Sequence, residues 1–490
     1  MKLCKLIFDD ECFLTQEERD IEIENITCEV KKSDADTLLF ILNESALNDF
    51  INSKASVKAI VFDQKAELPS KKLGRKVKIF KTENVRKLFS FAYSRFCDID
   101  YSRIKFIGIT GTNGKTSIAS FITKVLEDNG HKVGFIGTGK IILDGAVISD
   151  EEYSMTTPDP WVLYPTIKLM EDAGCDIIVM EVSSHALALD KTSPIHFDYA
   201  VFSNLGAEHL DFHKNMEQYF LSKKKLFAQC SVGVFNIDDS YGRRACREFE
   251  KRKISVGILW QGDVWATHIV NKGFDGTEYM YRDHSFLFKM KLQLAGIHNI
   301  YNSMLAAAVC IDFGIKPCDV KHSLGVISTL PGRFEIIKSD ITVIIDYAHT
   351  PAAYESLLKE IVRAKLPAEK LITVFGCGGE RDKEKRPLIA KIAERYSDEI
   401  YVTSDNPRSE PPERIIKDIT AGFVGSGYKI ITERENAIYE AILSAQSGSI
   451  VAIIGKGAEK YSIDSTGYHT FDEKAIITSA IERRGVIKSI

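Results

Sequence analysis

Residues 108–117 read GITGTNGKTS, glycines spaced around a Lys-Thr-Ser triplet, and that combination suits the grip of a polyphosphate. Glycines let backbone N–H groups close on phosphate oxygens, Lys115 brings positive charge to the β- and γ-phosphates, and the Thr116 hydroxyl can ligate Mg²⁺. Gly111, Thr112, Asn113, Gly114, Lys115, Thr116 and Ser117 are therefore the candidate ATP-binding residues. The general phosphate-loop pattern would put a glycine at 109, which is Ile, whereas the glycines here sit at 108, 111 and 114. This variant is narrower than the general motif.

The loop needs a strand before it and a helix after it, and both are legible. IKFIGIT is an apolar run and IASFITKVLEDNG is amphipathic, which gives the phosphate-cradling order of strand, loop and helix. Further on, CDIIVMEVSS (175–184) and YAVFSNL (199–205) read as strands, and MEQYFLSKKKLFAQC (216–230) and LAGIHNIYNSMLAAAVCIDFG (294–314) as helices. Strands alternating with helices imply a mostly parallel sheet. From Arg333 onward, ITVIIDYAHT, LITVFGCGG, DEIYVTSDNP and SIVAIIGKG are four apolar strands, each ending in a polar or glycine-containing loop. That is a doubly wound pattern, with ligand groups expected at the carboxyl ends of the strands. The first hundred residues alternate short apolar runs with Lys-rich segments and suggest a small α/β domain without a glycine fingerprint.

A chain of 490 residues has room for about three domains. Its net charge of −4 leaves no basic excess for a phosphate backbone, so a nucleic-acid partner is not expected. The opening MKLCKLIFDDE turns acidic before any apolar signal segment develops, and no run approaches the roughly 20 apolar residues of a membrane span. A cytosolic monomer without membrane insertion is the expectation. Ten cysteines occur with no C-x-x-C pair, which reads as reduced thiols rather than a zinc ribbon or dithiol motif.

The ordered set GTNGKTS, TTPDP (156–160), EVSSHAL (181–187), NLGAEHLDFH (204–213), Lys223–Lys225, HNIYN (298–302), PGRFE (331–335), DYAHTP (346–351), GCGGERDKEKRP (376–387), DNPR (405–408) and GKGAE (455–459) resembles the Mur ligase family. The likeness spans roughly residues 100–460 and is nearest the UDP-N-acetylmuramoyl-tripeptide synthetases. It implies an α/β, three-domain architecture: a diverged UDP-acceptor-binding domain (1–103), a central P-loop-type parallel-sheet ATPase domain (104–332) and a Rossmann-like amino-acid-binding domain (333–490). The reaction it implies is ATP-dependent amide formation through an acyl phosphate, adding meso-diaminopimelate to UDP-N-acetylmuramoyl-L-alanyl-D-glutamate in peptidoglycan precursor synthesis.

The resemblance also assigns residues. Lys115, Glu181, His209 and Lys223 become the catalytic set. Thr116 holds one Mg²⁺ with the phosphates, and Glu181, His209 and Lys223 hold a second. An ammonium at position 223 would repel a cation; the family resolves this by carbamylating the lysine with CO₂. Asn299 and Asn302 match the adenine-contacting segment, Arg333 a phosphate contact at the hinge, and Asp346 a ribose contact. Thr156, Thr157, Ser183 and Lys191 face the acyl acceptor. Arg381, Asp405, Asn406, Pro407, Arg408, Gly455 and Glu459 face the incoming amino acid. Arginine offers a planar fork for a carboxylate. Arg408 thus points to diaminopimelate, whose distal carboxylate lysine lacks. His185 and His349 are read as structural, and the His209/His213 pair lacks the Glu of a zinc-protease motif.

Three departures cluster on the UDP-sugar side. ITCEVKKSDADTLLF (26–40) replaces the family's uridine signature, Leu189 and Lys191 stand where Gln and Arg are usual, and Gly-Ala-Glu precedes His209 where a polar residue and Asp are usual. Two alternatives therefore stand beside the cell-wall ligase: a paralogue joining a diaminopimelate-like or other amino acid to a different acyl acceptor, and a noncatalytic ATP-binding scaffold.

Overall fold

A computed structural model of the chain describes residues 1–7, 14–53, 55–65, 77–149 and 155–489. Three sheets carry the architecture. In the first, strands Asn25–Thr27, Thr37–Ile41, Ala59–Asp63 and Lys78–Thr82 run parallel in chain order. The second of these, TLLFI, is buried at every position, as expected of a parallel strand covered on both faces. Leu38, Phe40 and Val61 join the core under helix Val85–Phe96, whereas Leu39, Ile41, Ile60 and Phe62 pack with Phe50 of helix Glu44–Asn52 on the opposite face. This is the period of two that a pleated strand imposes.

The second sheet has eleven strands, and Lys105–Thr110 lies inside it between Ile177–Glu181 and Phe197–Phe202. The parallel body continues through Val133–Gly137 on one side and Cys230–Asn236 and Arg252–Gly257 on the other, with antiparallel hairpins added at both edges. The phosphate loop therefore leaves the sheet where residues following both neighbouring strands also emerge. Helix Lys115–Asp128 buries Ile118, Phe121, Ile122 and Val125 against this sheet, an i, i+3, i+4, i+7 stripe.

The third sheet has six strands in the order Glu335–Lys338, Thr342–Asp346, Ile450–Ile454, Leu371–Phe375, Glu399–Val402 and Tyr428–Ile430. All are parallel except the first. The four apolar strands read from the sequence form its centre. The two further strands are short edges, and Tyr428–Ile430 buries none of its residues, so it lacks the apolar run that marks a central strand. Among the described residues no helix is long and apolar enough to cross a membrane.

Candidate active site

The phosphate loop is shaped by contacts that exclude side chains. Gly111 has φ +147°, and a Cβ there would fall 1.9 Å from Ser203 Oγ; at Gly114, φ +87°, it would fall 2.6 Å from Asn302 Oδ1. Only glycine meets both conditions. Asn113 N donates to Asn204 Oδ1 (2.9 Å), Ser203 Oγ donates to Asn113 O (2.6 Å), and Gly206 N donates to Thr112 Oγ1 (3.0 Å), so the segment after strand Phe197–Phe202 holds the loop. Ser117 is buried in the first helical turn.

Lys115 curls back to donate to the carbonyl oxygens of Gly111 (2.9 Å) and Thr112 (2.8 Å). Lys223, on helix Met216–Ala228, donates to that same Gly111 oxygen at 2.8 Å. Burial lowers the pKa of Lys115, against the opposing pull of Glu208 and Glu181. Lys223 is driven well below the ordinary lysine value, by burial first and by the Lys115 charge second. Its neighbours in the sequence have other partners: Lys224 pairs with Glu248 and Lys225 with Asp190.

Thr116 Oγ1 donates to Glu181 Oε2 at 3.1 Å, while the other oxygen of Glu181 accepts from Thr138 N at 3.0 Å. His209 follows at the start of a short helical turn with φ +56°, its ring edge-on to His185. Burial brings its pKa down to about 4, leaving a neutral imidazole at pH 7. The Thr116 hydroxyl and the Glu181 carboxylate, within hydrogen-bond distance of each other, are the oxygen donors Mg²⁺ prefers, and the neutral His209 imidazole keeps a lone pair free as a softer donor. Among the described residues no group of three or more His, Cys, Asp or Glu is placed to hold a metal.

The nucleotide candidates divide. Asn302 lies against Gly114, and Arg333 Nη2 donates to Thr116 Oγ1 (3.2 Å) while its guanidinium stacks 4.3 Å from the Tyr347 ring centroid. Asn299 instead donates to Ala295 O within its own helix start, and the Asp346 carboxylate accepts from Phe334 N and Ala348 N, both at 2.7 Å. Asp346 thus pins the connection between the second and third sheets. His349, read as structural, meets Glu208 at 2.7 Å and ties those two regions together beside the loop.

Among the residues expected to face the acceptor, Thr156 Oγ1 accepts from Thr138 Oγ1, and Thr157 Oγ1 donates to Glu181 O and accepts from Ser183 N, both at 2.9 Å. Ser183 caps helix Ser184–Ala188. Lys191 is buried in an ion pair with Asp159 at 2.7 Å. The first sheet's region reaches this side through Asn84, whose amide donates to Asp190 at 2.9 Å.

At the carboxyl edge of the third sheet, Arg408 has φ +55° and its Nη1 donates to Gly379 O (2.9 Å) and Asn406 O (3.3 Å). Gly379 and Pro407 make this a close crossing, for a Cβ on Gly379 would sit 1.8 Å from Pro407 O. Arg381 borders Gly378 beside Arg408. Asn406 donates to Glu459 Oε2 at 2.9 Å, and Gly455, φ +126°, lies against Asp405. Sequence reasoning missed three supports. Arg386 is fully buried and donates to Glu410, Asp418 and Gly378 O, tying the two loops together. Lys456 is 1% exposed among Asp405, Asn406 and Glu459. Glu208 is the third. A lysine between glycines directly after SIVAII was the available signal for Lys456; nothing local marked Arg386.

A glycine loop whose Thr116 meets the strand-end carboxylate of Glu181, joined by Arg333 and His349 to a doubly wound unit that carries Arg381 and Arg408 at its carboxyl edge, is the arrangement of an ATP-using enzyme. Models of the Mur ligase middle domain and of the Mur ligase glutamate ligase domain match residues 109–310 and 332–457. The chain is 37% identical over 488 residues to UDP-N-acetylmuramoyl-L-alanyl-D-glutamate–2,6-diaminopimelate ligase 1 of Clostridium acetobutylicum, covering 98% of this chain and 99% of that one. It is 36% identical to the corresponding ligase of Clostridioides difficile, covering 99% and 100%. A solved structure of a UDP-N-acetylmuramoyl-L-alanyl-D-glutamate–2,6-diaminopimelate ligase shares the fold, with a TM-score of 0.69 at 24% identity over 99% of both chains. MurF ligase from Thermotoga maritima in complex with ADP does so at 0.60 and 16%, over 95% of this chain and 98% of that one. The chain belongs to the Mur ligase family. It is an ATP-dependent acid–amino-acid ligase.

Proposed function

We propose that the protein joins meso-diaminopimelate to UDP-N-acetylmuramoyl-L-alanyl-D-glutamate, with cleavage of ATP to ADP and phosphate, in peptidoglycan precursor synthesis. The observation that carries this is identity of 36–37% over nearly the whole chain to two ligases named for that reaction. The guanidinium of Arg408, which among the described residues is anchored through Nη1 only, supports the choice of a second carboxylate as its partner. Residues 1–103 then serve the acceptor, 104–332 the nucleotide, and 333–490 the amino acid.

A carboxylate does not acylate an amine unaided, so the γ-phosphoryl group is transferred to it first. A bond forms from the carboxylate oxygen to phosphorus, and the bond to ADP breaks. The amine then attacks the carbonyl carbon, gives up a proton, and phosphate leaves. The loop amides and Lys115 neutralise the transferring group, with Arg333 reaching Thr116 from the third sheet's side. Lys115 must swing off the Gly111 and Thr112 carbonyls to do so. Thr116, Glu181, His209 and Lys223 would hold two Mg²⁺, which when bound supply charge neutralisation for phosphoryl transfer. Only an unprotonated amine adds to CO₂, and burial favours that form of Lys223. Its nitrogen bonds to carbon, one proton leaves, and an anionic carbamate replaces the cation. Thr156, Thr157, Ser183 and Lys191 line the acceptor side. Asn299, Asn302 and Asp346 take adenosine, and Arg381, Asp405, Asn406, Arg408, Gly455 and Glu459 take the diamino acid.

The test is phosphate release by purified protein with ATP, the UDP-dipeptide and diaminopimelate, lysine or ornithine, with the product identified by mass. A tripeptide product with diaminopimelate is expected. No amine-dependent phosphate release with any of the three would overturn the reading.

A further inference from the structure

Tyr219 is buried on helix Met216–Ala228, one turn before Lys223, and it meets three of the residues assigned to the reaction. Its hydroxyl lies 3.1 Å from Thr112 Oγ1 in the phosphate loop. Its ring has Lys223 Nζ over it, 4.7 Å from the centroid, and meets the His209 ring edge-on at 6.2 Å. Residues four apart share one helix face, and a long side chain leans back over the preceding turn, so position 223 comes to rest on the ring at 219. The Thr112 hydroxyl accepts from Gly206 N at 3.0 Å and donates to Gly206 O at 3.3 Å, which leaves the Tyr219 O–H as the donor between the two hydroxyls.

Tyr219 is fixed in turn. His213 stacks on it, with ring centroids 5.0 Å apart at 28°. Both nitrogens of His213 have partners, Nε2 at 2.9 Å from Ser184 Oγ and Nδ1 at 3.3 Å from Ser222 Oγ. Ser184 follows the strand that ends in Glu181, and Ser222 immediately precedes Lys223. The histidine that fits no zinc motif thus braces the tyrosine between the strand of one candidate ligand and the helix of another. Lys223 Nζ directs one hydrogen to Gly111 O at 2.8 Å. A carbamate nitrogen keeps one hydrogen, so the same bond serves the amine before CO₂ adds and the carbamate afterwards.

We propose that Tyr219 is a positioning residue for phosphoryl transfer: its ring holds Lys223 so that Nζ stays on Gly111 O, and its hydroxyl holds Thr112, so the lysine nitrogen and the phosphate loop keep one separation. A lysine side chain in the open samples many rotamers, and the ring removes that freedom before CO₂ or nucleotide arrives. This rests on the reading of Lys223 given above. Tyr219 itself touches neither nucleotide nor carbamate carbon in this account; it acts through Thr112 and Lys223.

The test takes two readings on wild type, Tyr219→Phe, Tyr219→Leu and Lys223→Ala, with the melting temperature as a control. One is the KM for ATP; the other is the carbamate carbon signal by NMR after incubation with ¹³C-bicarbonate, Mg²⁺ and a nonhydrolysable ATP analogue. Tyr219→Phe keeps the ring, so it should retain the carbamate signal while raising the ATP KM roughly two- to tenfold, the scale of one net hydrogen bond. Tyr219→Leu should also lower the carbamate signal by about tenfold, the scale of the rotamer freedom a lysine regains. A merely structural role would move both readings together, so the split in Tyr219→Phe is what supports the proposal, and it decides the matter if Tyr219→Leu fails to fold. An unmoved ATP KM or a lost carbamate signal in Tyr219→Phe overturns the inference, as does a full carbamate signal in folded Tyr219→Leu; in each case the wild-type signal leaves the Lys223 reading standing. A wild type as silent as Lys223→Ala overturns that reading and this inference with it.

Discussion

Lys115 and Lys223 share one acceptor, the carbonyl oxygen of Gly111, at 2.9 and 2.8 Å. Two ammonium groups on one buried oxygen repel each other, and the repulsion falls on Lys223, whose surroundings offer it less opposing negative charge than Glu208 and Glu181 give Lys115. Burial lowers the pKa of both lysines; Glu208 and Glu181 oppose that shift at Lys115, whereas the Lys115 charge adds to it at Lys223.

Lys115→Ala and Lys223→Ala should each reduce phosphate release by roughly 10²–10³-fold, the scale of removing a transition-state charge contact. A short-chain carboxylic acid added to the assay should partly restore only Lys223→Ala, because it replaces a carboxylate and not an ammonium. Activity like wild type in Lys223→Ala would sink the proposed metal role.

Arg408→Ala should raise the diaminopimelate KM at least tenfold and leave ATP binding alone, since breaking a hydrogen-bonded charge pair costs about 2–5 kcal/mol. Lysine should then become a comparable substrate. Steady-state kinetics on both amino acids checks this, and wild type that already uses lysine equally well would contradict it.

Arg386, fully buried, holds Glu410 at 3.1 Å and Asp418 at 2.8 Å. Arg386→Met should destabilise the protein by about 1–3 kcal/mol, the scale of losing charge-assisted hydrogen bonds whose carboxylates keep contact with water and, at Glu410, with Lys383. The Arg386 hydrogen bonds bring the Glu410 pKa down to about 2, below its unfolded value. The resulting stabilisation is complete above the unfolded carboxyl pKa of about 4.3 and is lost as pH falls through the folded value. Urea unfolding between pH 6 and pH 3 should therefore show a shallower acid loss in the variant than in wild type.

Leu189 cannot hydrogen-bond, and Lys191 is committed to Asp159 at 2.7 Å. Each polar ligand group left without a partner costs about 1–3 kcal/mol. Calorimetric titration with UDP-N-acetylmuramoyl-L-alanyl-D-glutamate and a nonhydrolysable ATP analogue should give an affinity one to three orders weaker than micromolar, by that same loss at two positions. Micromolar binding would show that residues 1–103 supply substitutes.

The sequence alone determined the phosphate loop, the apolar strands that end in ligand-bearing loops, and the ordered motifs that mark a Mur ligase. Those features are local: a glycine at a left-handed turn, a buried run of β-branched residues, a lysine at fixed spacing. Only the tertiary structure decided which motif residues meet. It put Asn302 against Gly114 but turned Asn299 onto its own helix, spent the Asp346 carboxylate on two backbone amides, and paired Lys191 with Asp159. It also produced Glu208–His349, Arg386–Glu410 and the Lys456 cluster, whose members lie 141, 24 and 50 residues apart along the chain. A buried charge is stabilised by the partner that packing brings to it, and no local spacing rule encodes a partner that arrives from another strand or another sheet.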